Sequence, residues 1–259
     1  SEMCIRDRVQ ALNEPERNPE TDSWMWLFRS GEDGLPPILL YHYTETRAKF
    51  HAASFLQGFS GYLETDGYQG YNNLPDIKHC SCWAHVRRYF TDAIPKGKEY
   101  DYSLPAVQGV QFCSKLFDCE RYSKAKNHTA EQRKQFRLEQ EKPILETFWN
   151  WLDQQHPNRG TRLAKAVNYA QNRKDTLMTY LEDGHCSLSN NLSENAIRPF
   201  TVGRKNWLFS TSPKGATASA IVYTMVEMAK VNDLNTYKYL TYLLSLIHIS
   251  EPTRPLYIS

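Results

Sequence analysis

Apolar and polar positions in the first part of the chain follow the patterns of β-strands. Residues 23–30 and 37–43 are rich in aromatic and branched side chains, and Gly31-Glu-Asp-Gly34 between them is typical of a hairpin connection. Apolar residues at helical spacing then predict a helix over residues 46–59, which ends near Gly58. The pattern therefore predicts an antiparallel strand pair followed by a helix.

The pattern next changes to an alternation of strands and helices. Residues 61–66 and 77–82 predict two further strands, and residues 83–94 predict a helix directly after the second one. From about Pro105 to Leu181 the periodicity is helical throughout. Strands followed by a strand–helix alternation predict an α/β fold, here with a long helical segment inserted.

Composition and charge exclude several classes of protein. The 259 residues are 41% hydrophobic, enough for one large or two small domains with a real core. We expect no membrane partner, because no apolar run approaches the roughly 18 residues that span a bilayer. The net charge of +2 does not by itself indicate a nucleic-acid binder. Residues 115–175 are more basic, with thirteen Lys or Arg against eight Asp or Glu, which fits either a solvated helical hairpin or a surface that faces DNA.

The six cysteines do not predict a disulfide framework in a chain of this length. Cys80, Cys82 and His85 have a spacing typical of metal ligands. A structural zinc site needs four ligands, and no second Cys or His pair completes this one. Reduced cysteines packed at a strand end are therefore the favoured interpretation.

Two acidic residues are candidates for catalytic chemistry. Asp66 ends a predicted strand, although an Asp-Gly pair is first of all a turn signal. Glu194 lies three residues after Asn191, which predicts a capping box, and Pro199 predicts the end of that helix. A strand-end Asp paired with a helical Glu is an arrangement that can hold two Mg²⁺ ions for phosphoryl transfer.

Basic residues accompany both acidic candidates. Arg198 lies one turn beyond Glu194, and Arg204 and Lys205 alternate with aromatic residues shortly afterwards. This pattern suits a phosphate backbone held beside an acidic centre, so we predict DNA contacts for these three residues. Arg87 and Arg88 on the earlier helix are weaker candidates, since an exposed helix face explains them equally well.

Four segments together resemble the transposases of the insertion sequence 66 family, and the resemblance extends from about Val9 to Leu244. They occur in the family's order: Gly61-Tyr-Leu-Glu-Thr-Asp-Gly-Tyr68, Cys82-Trp-Ala-His-Val-Arg-Arg88, Asn190-Asn-Leu-Ser-Glu-Asn-Ala-Ile-Arg-Pro199 and Gly203-Arg-Lys-Asn-Trp-Leu-Phe209. The resemblance implies a DDE enzyme on a ribonuclease H-like fold. It implies that Asp66 is the second catalytic Asp and Glu194 the closing Glu, both as metal ligands.

The start of the chain departs from the family pattern. The family's first catalytic Asp precedes the stretch that corresponds to Val9, and alignment on Val9 places Ile5, not Asp7, at that position. The opening octapeptide and the last fifteen residues resemble translated sequencing adaptors. We therefore expect a fragment whose first strand is missing or replaced, with the following segments: a non-native tail 1–8, the first part of the catalytic domain 9–104, a helical insertion 105–182, the closing catalytic helix and C-terminal region 183–244, and a second non-native tail 245–259.

The resemblance also implies cofactor, partners and location. Two Mg²⁺ ions, which Mn²⁺ can replace, would support cleavage at the ends of an insertion sequence and strand transfer into target DNA by a homo-oligomer in the bacterial cytoplasm, at the nucleoid. Without the first Asp, this chain is expected to be inactive. Two alternatives stay open: a catalytically dead DNA-binding accessory or domesticated protein on the same fold, and a ribonuclease H-like nuclease with another substrate.

Overall fold

Five strands form one mixed sheet at the centre of the protein. The computed structural model describes residues 2–32, 34–67, 69–71 and 74–250. The strands are β1 (Glu2–Gln10), β2 (Asp22–Ser30), β3 (Leu39–Thr44), β4 (Gly61–Thr65) and β5 (Ile77–Ser81). Their spatial order is β3-β2-β1-β4-β5; β1 to β3 are antiparallel neighbours, whereas β4 runs parallel to β1 and β5 parallel to β4. The α/β class predicted from the sequence is confirmed.

The central position of β1 bears on the first strand, which the sequence predicts to be missing or replaced. Glu2–Gln10 forms a strand at that place, paired with both β2 and β4, so the first strand is not missing. Without it, β2 and β4 would both expose unpaired backbone groups, so an extended segment between them gains main-chain hydrogen bonds largely independently of its side chains. That residues 1–8 are foreign to the natural protein stays a prediction.

The helices lie in three parts of the chain. One short helix lies between β3 and β4, a group of helices and tight turns follows β5, and three longer helices complete the described chain. They are α1 (Lys49–Phe55), α2 (Trp83–Asp92), α3 (Pro105–Ala125), α4 (Ala130–Phe136), a π-helical turn (Arg137–Glu141), α5 (Lys142–Asp153), α6 (Arg162–Gln171), α7 (Lys174–Met178), α8 (Asn191–Trp207), α9 (Pro213–Val231) and α10 (Thr236–Ser250), with single 3₁₀ turns at Gln69–Tyr71 and Thr179–Leu181. None of these helices, within the described residues, has the length and apolarity needed to cross a bilayer.

Each face of the sheet has its own apolar core. Met25 and Leu27 of β2 point to the face covered by α8 and α9, where they pack with Phe200. Trp26 and Phe28 alternate with them and pack on the other face, against α1. This period of two is what a strand buried on both sides requires. A third core joins α2 to α3, α5, α6 and α7 and includes Trp83, Phe90, Phe148 and Leu152.

Three predictions of helix boundaries are wrong. The helix predicted over residues 46–59 is shorter and spans Lys49–Phe55. Helix α8 has Asn190 as its N-cap, not Asn191, and Glu194 makes no capping box, because its carboxylate faces α2 instead. Pro199 lies inside α8. The burial of the α8 residues Ile197 and Phe200 against the sheet outweighs the backbone hydrogen bond that the proline removes.

Candidate active site

An open cleft of about 310 Å³ lies at the carboxyl end of β4, between β1, α2 and α8. Asp66 and Glu194, which the sequence predicts as a catalytic pair, both line it. The carboxyl end of a parallel strand is where loops and helix ends commonly bring functional side chains together. The structure thus brings the two predicted acidic residues to one place, although they are far apart in the sequence.

The turn that carries Asp66 is held by a residue of the helical segment. Gly67 has a φ of +80°, and a Cβ atom there would lie 2.7 Å from Nε of Arg173. Arg173 donates from Nη2 to the Gly67 carbonyl at 3.0 Å and lies 4.1 Å above the ring of Tyr169. Sequence reasoning missed Arg173, whose only signal was the basic excess of the segment. The positive φ therefore favours glycine after Asp66, and a side chain at this position would also displace Arg173.

Asp66 itself faces a cation of β1. Nη1 of Arg6 lies 3.5 and 3.4 Å from the two carboxylate oxygens of Asp66. The Arg6 side chain is only 9% exposed, whereas that of Asp66 is 25% exposed. Sequence reasoning did not select Arg6, because it lies in the octapeptide that departs from the family pattern. In the structure Arg6 lines the cleft.

Glu194 lies in the first turn of α8 and faces two cations of α2. Its Oε1 is 3.1 Å from Nε2 of His85, and its Oε2 accepts from Nη2 of Arg88 at 3.2 Å. The hydrogen bond from His85 is the main reason why the pKa of Glu194 is lowered. Burial opposes a charge on His85, but the interactions with nearby Cys82 and with Glu194 outweigh it and raise the pKa of His85 to about 9. The contact between His85 and Glu194 thus favours the charged form of both groups.

Strand β1 contributes two further residues to the cleft, Ile5 and Asp7. The last paired residues of β1 and β4 are Cys4 and Thr65, so Ile5 follows in register beside Asp66. Asp7 lies two residues further along β1, where its Oδ2 is 3.4 Å from Nη2 of Arg204. An apolar side chain thus occupies the position next to Asp66, and the nearby carboxylate is paired with α8.

The five basic residues predicted to contact DNA do not lie together. Arg88 and Arg198 line the cleft, and Arg204 lies at its edge beside Asp7. Arg87 points to α3, where its guanidinium lies 5.9 Å from the ring centre of Phe117. Lys205 is exposed near the end of α8. Arg88, Arg198 and Arg204 are therefore the candidates whose positions suit a phosphate backbone in the cleft.

A set of buried contacts fixes α8 relative to the sheet. Glu64, a buried residue of β4 that sequence reasoning missed, accepts a hydrogen bond from the backbone N–H of Ser187. Burial raises the pKa of Glu64 well above its usual range. The N–H of Asn190 donates to Sγ of Cys82 at 3.3 Å, which gives this cysteine a structural role. These contacts explain how Glu194 is placed opposite Asp66.

The carboxylates of the cleft, as they stand, do not fit the divalent ions that the resemblance implies. Such ions need several oxygens aimed at one point. Asp66, Glu194 and Asp7 instead each face a cation of this chain. Within the described residues, no group of three or more His, Cys, Asp or Glu side chains could hold a metal ion. Cys80, Cys82 and His85 therefore form no such group either. The two cysteines are buried free thiols.

Comparison with known proteins shows to which family the chain belongs. It is 30% identical over 249 residues to the uncharacterized protein y4qI of Sinorhizobium fredii, an alignment that covers 90% of this chain and 45% of y4qI. It is 28% identical to the uncharacterized protein y4hP of the same organism, over 85% of this chain and 42% of y4hP. The chain thus spans less than half the length of these relatives, and no solved structure matches it. The profile of the Transposase IS66 family matches residues 7–218, and the chain belongs to this family.

Proposed function

We propose that this chain carries the DNA-cleaving and strand-transferring fold of a DDE-type transposase, on a sheet of the ribonuclease H-like kind. The strand order β3-β2-β1-β4-β5, with three antiparallel strands followed by two parallel ones, supports that fold. Membership of the IS66 family supports DNA as the partner.

One observation carries the proposal: Asp66 and Glu194 meet across one cleft, beside cations that suit DNA. Asp66 follows a central strand and Glu194 begins a helix packed on that sheet, so both carboxylates have rigid supports. Arg88 and Arg198 can hold the phosphates that flank a scissile bond, and Arg204 can extend the contact along the backbone. The carboxylates would then lie beside the phosphodiester.

The chain in this form is proposed to be inactive, because the position next to Asp66 holds Ile5. The register of β1 and β4 supports the alignment that places the family's first catalytic Asp at Ile5. Asp7 is a poor substitute, since it lies two residues further along and faces Arg204. Two carboxylates in place of three leave the site short of charge and of oxygen ligands.

The test is to install the missing carboxylate. The variant Ile5→Asp should nick supercoiled DNA in a buffer that contains Mg²⁺, whereas the unchanged chain and the matched variant Ile5→Asn should not. Adding Glu194→Gln to the Ile5→Asp chain should abolish nicking. Nicking by the unchanged chain would contradict the proposed inactivity, and nicking that survives Glu194→Gln would contradict the role of Glu194.

A second candidate function is DNA binding without catalysis, as in an accessory or domesticated protein. It is favoured by the ion pairs that occupy all three carboxylates of the cleft. The unchanged chain should then bind duplex DNA equally well in EDTA, and Arg198→Gln should weaken that binding. Lys230→Gln is the matched control, because Lys230 lies on α9 and pairs with Glu227.

A further inference from the structure

We propose that Arg6 is a built-in counter-ion of Asp66 which keeps divalent metal ions out of the cleft of this chain, so that Asp66 and Glu194, without a third carboxylate at position 5, form a metal site only when Arg6 is removed. The inference rests on the proposed function, because it concerns the same cleft. Arg6 is a second obstacle to metal binding, separate from the missing third carboxylate, because its guanidinium is present and competes with a metal ion for Asp66. Three observations support it.

The first observation is the geometry of the pair. Both carboxylate oxygens of Asp66 face Nη1 of Arg6, at 3.5 and 3.4 Å. The end of the Arg6 side chain thus lies beside both oxygens with which Asp66 would hold a metal ion. A divalent ion needs oxygen ligands at roughly 2.0 to 2.6 Å and cannot share that space with a guanidinium.

The second observation is how firmly Arg6 is held. Its guanidinium carbon lies 5.8 Å from the ring centres of both Trp24 and Trp26, and 5.9 Å from that of Tyr71. These rings belong to β2 and to the 3₁₀ turn after Asp66. The guanidinium lies over their faces, where the π electrons attract a cation. The pair is thus built into the sheet, in contrast to a surface arginine that can swing into solvent.

The third observation is the charge of the whole cleft. Its lining contains three carboxylates, and these are matched by three arginines and His85. Glu194 has both oxygens committed, one to His85 and one to Arg88. A cleft whose negative charges are already balanced offers a metal dication little electrostatic gain, but it can still accept the phosphates of DNA.

The test measures binding of Mn²⁺ alone, through the loss of the electron paramagnetic resonance signal of the free ion. The unchanged chain should bind no Mn²⁺ in the cleft up to about 1 mM, the range in which weak oxygen-donor sites fill. The variant Arg6→Met keeps an apolar stem among the aromatic rings and removes the charge. It should gain one Mn²⁺ site with a dissociation constant of about 0.1 mM or lower, at least about tenfold below the 1 mM limit up to which the unchanged chain binds none.

Two further variants locate that site. Adding Asp66→Asn to Arg6→Met should remove the new Mn²⁺ site. Arg8→Met is the matched control, because Arg8 lies on the same strand and pairs with the exposed Asp22. It should leave Mn²⁺ binding unchanged. Circular dichroism shows whether each variant is folded, and Arg6→Gln provides a second variant if Arg6→Met is not.

Two results would overturn the proposal. One is an Mn²⁺ site in the unchanged chain that Asp66→Asn removes, a measurement that needs no change at Arg6. The other is a folded Arg6→Met or Arg6→Gln chain that gains no Mn²⁺ site. Neither result bears on DNA binding, so failure of this inference is distinguishable from failure of the proposed function, which the DNA assays test separately.

Discussion

Arg137 in the helical segment is buried and Arg6 in the cleft is half-buried; both face carboxylates, but their surroundings differ. Arg137 is fully buried in the π-helical turn and donates from Nε to Glu120 at 2.6 Å. Its other nitrogens donate to Glu120 again and to three backbone carbonyls, those of Tyr180, Asp183 and Cys186. Every donor nitrogen of Arg137 therefore has a partner in a fixed position.

Arg6 faces a carboxylate that is still a quarter exposed, at distances of 3.4 and 3.5 Å. Water or another ion can reach Asp66 when Arg6 is absent, whereas nothing can replace Arg137 without leaving buried carbonyls unpaired. The difference shows which charges hold the fold together and which set the chemistry of the cleft. Removing a cation from the first region should cost stability, and removing one from the second should change binding.

The largest effect is expected for Arg137→Met. It leaves Glu120 and three carbonyls without their donor, and breaking a buried ion pair in this way costs about 3–5 kcal/mol. Urea unfolding measures the loss. Arg121→Met is the control, because Arg121 lies on an exposed part of α3 and should cost less than about 1 kcal/mol. A loss below about 1 kcal/mol for Arg137→Met would contradict a structural role for this arginine.

The same region predicts a dependence of stability on pH. Burial and the charge of Glu120 raise the pKa of Glu141, which accepts a hydrogen bond from the hydroxyl of Tyr180 at 2.6 Å. Because the folded pKa lies above the unfolded one, the contribution to stability is complete below the ordinary carboxyl pKa and is lost as pH rises toward the folded value. The helical core should therefore weaken between about pH 5 and about pH 8.

Glu141→Gln tests this dependence, since an amide of the same shape does not ionise. The unchanged chain should lose at least about 1 kcal/mol more than Glu141→Gln over that pH interval, measured by urea unfolding at both ends. Glu139→Gln is the control, because Glu139 is exposed on the same turn. Equal pH profiles for the unchanged chain and Glu141→Gln would show that Glu141 is already ionised at low pH.

A smaller loss of stability is expected for Arg6→Met. Because Asp66 stays partly exposed, water replaces much of the lost interaction, and the cost should be about 1 kcal/mol. Added Mn²⁺ should raise the melting temperature of this variant by mass action and leave that of the unchanged chain unaffected. A loss as large as that of Arg137→Met would mean that Arg6 belongs with the structural arginines.

The sequence predicts the sheet better than it predicts either arginine. Strands β2 to β5 lie within two residues of their predicted limits, because alternating side chains must face two cores. The helix after β5 is also confirmed, and it brings His85 and Arg88 to Glu194. Asp66 and Glu194 come together as their motifs suggest. The roles assigned to them remain predictions.

The misses arise where distant contacts decide the structure. Pro199 does not end α8, since the helix gains more from burying Phe200 on the sheet than it loses at the proline. No local pattern marks Arg137, because Glu120 precedes it by 17 residues and its three carbonyl partners follow it by 43 to 49. The position of Arg6 could not be predicted for another reason. Arg6 lies in a segment without a clear strand pattern, and the backbone groups of β2 and β4 fix the place of that segment in the sheet.

The smallest effect on stability, and a clear effect on binding, is expected for Arg88→Gln. The Arg88 side chain is 56% exposed and Glu194 keeps its contact with His85, so stability should change by less than about 0.5 kcal/mol. If DNA lies in the cleft, loss of one phosphate contact should reduce the slope of log affinity against log salt by about 1. Fluorescence anisotropy with duplex DNA at several salt concentrations measures that slope.

Arg87→Gln is the matched control on the same helix, because Arg87 lies over Phe117 on the side of α3. An equal change in both variants would mean that DNA follows the surface of α2 instead of entering the cleft. The charges that bind DNA would then lie on an exposed helix, outside both the helical core around Arg137 and the cleft around Arg6.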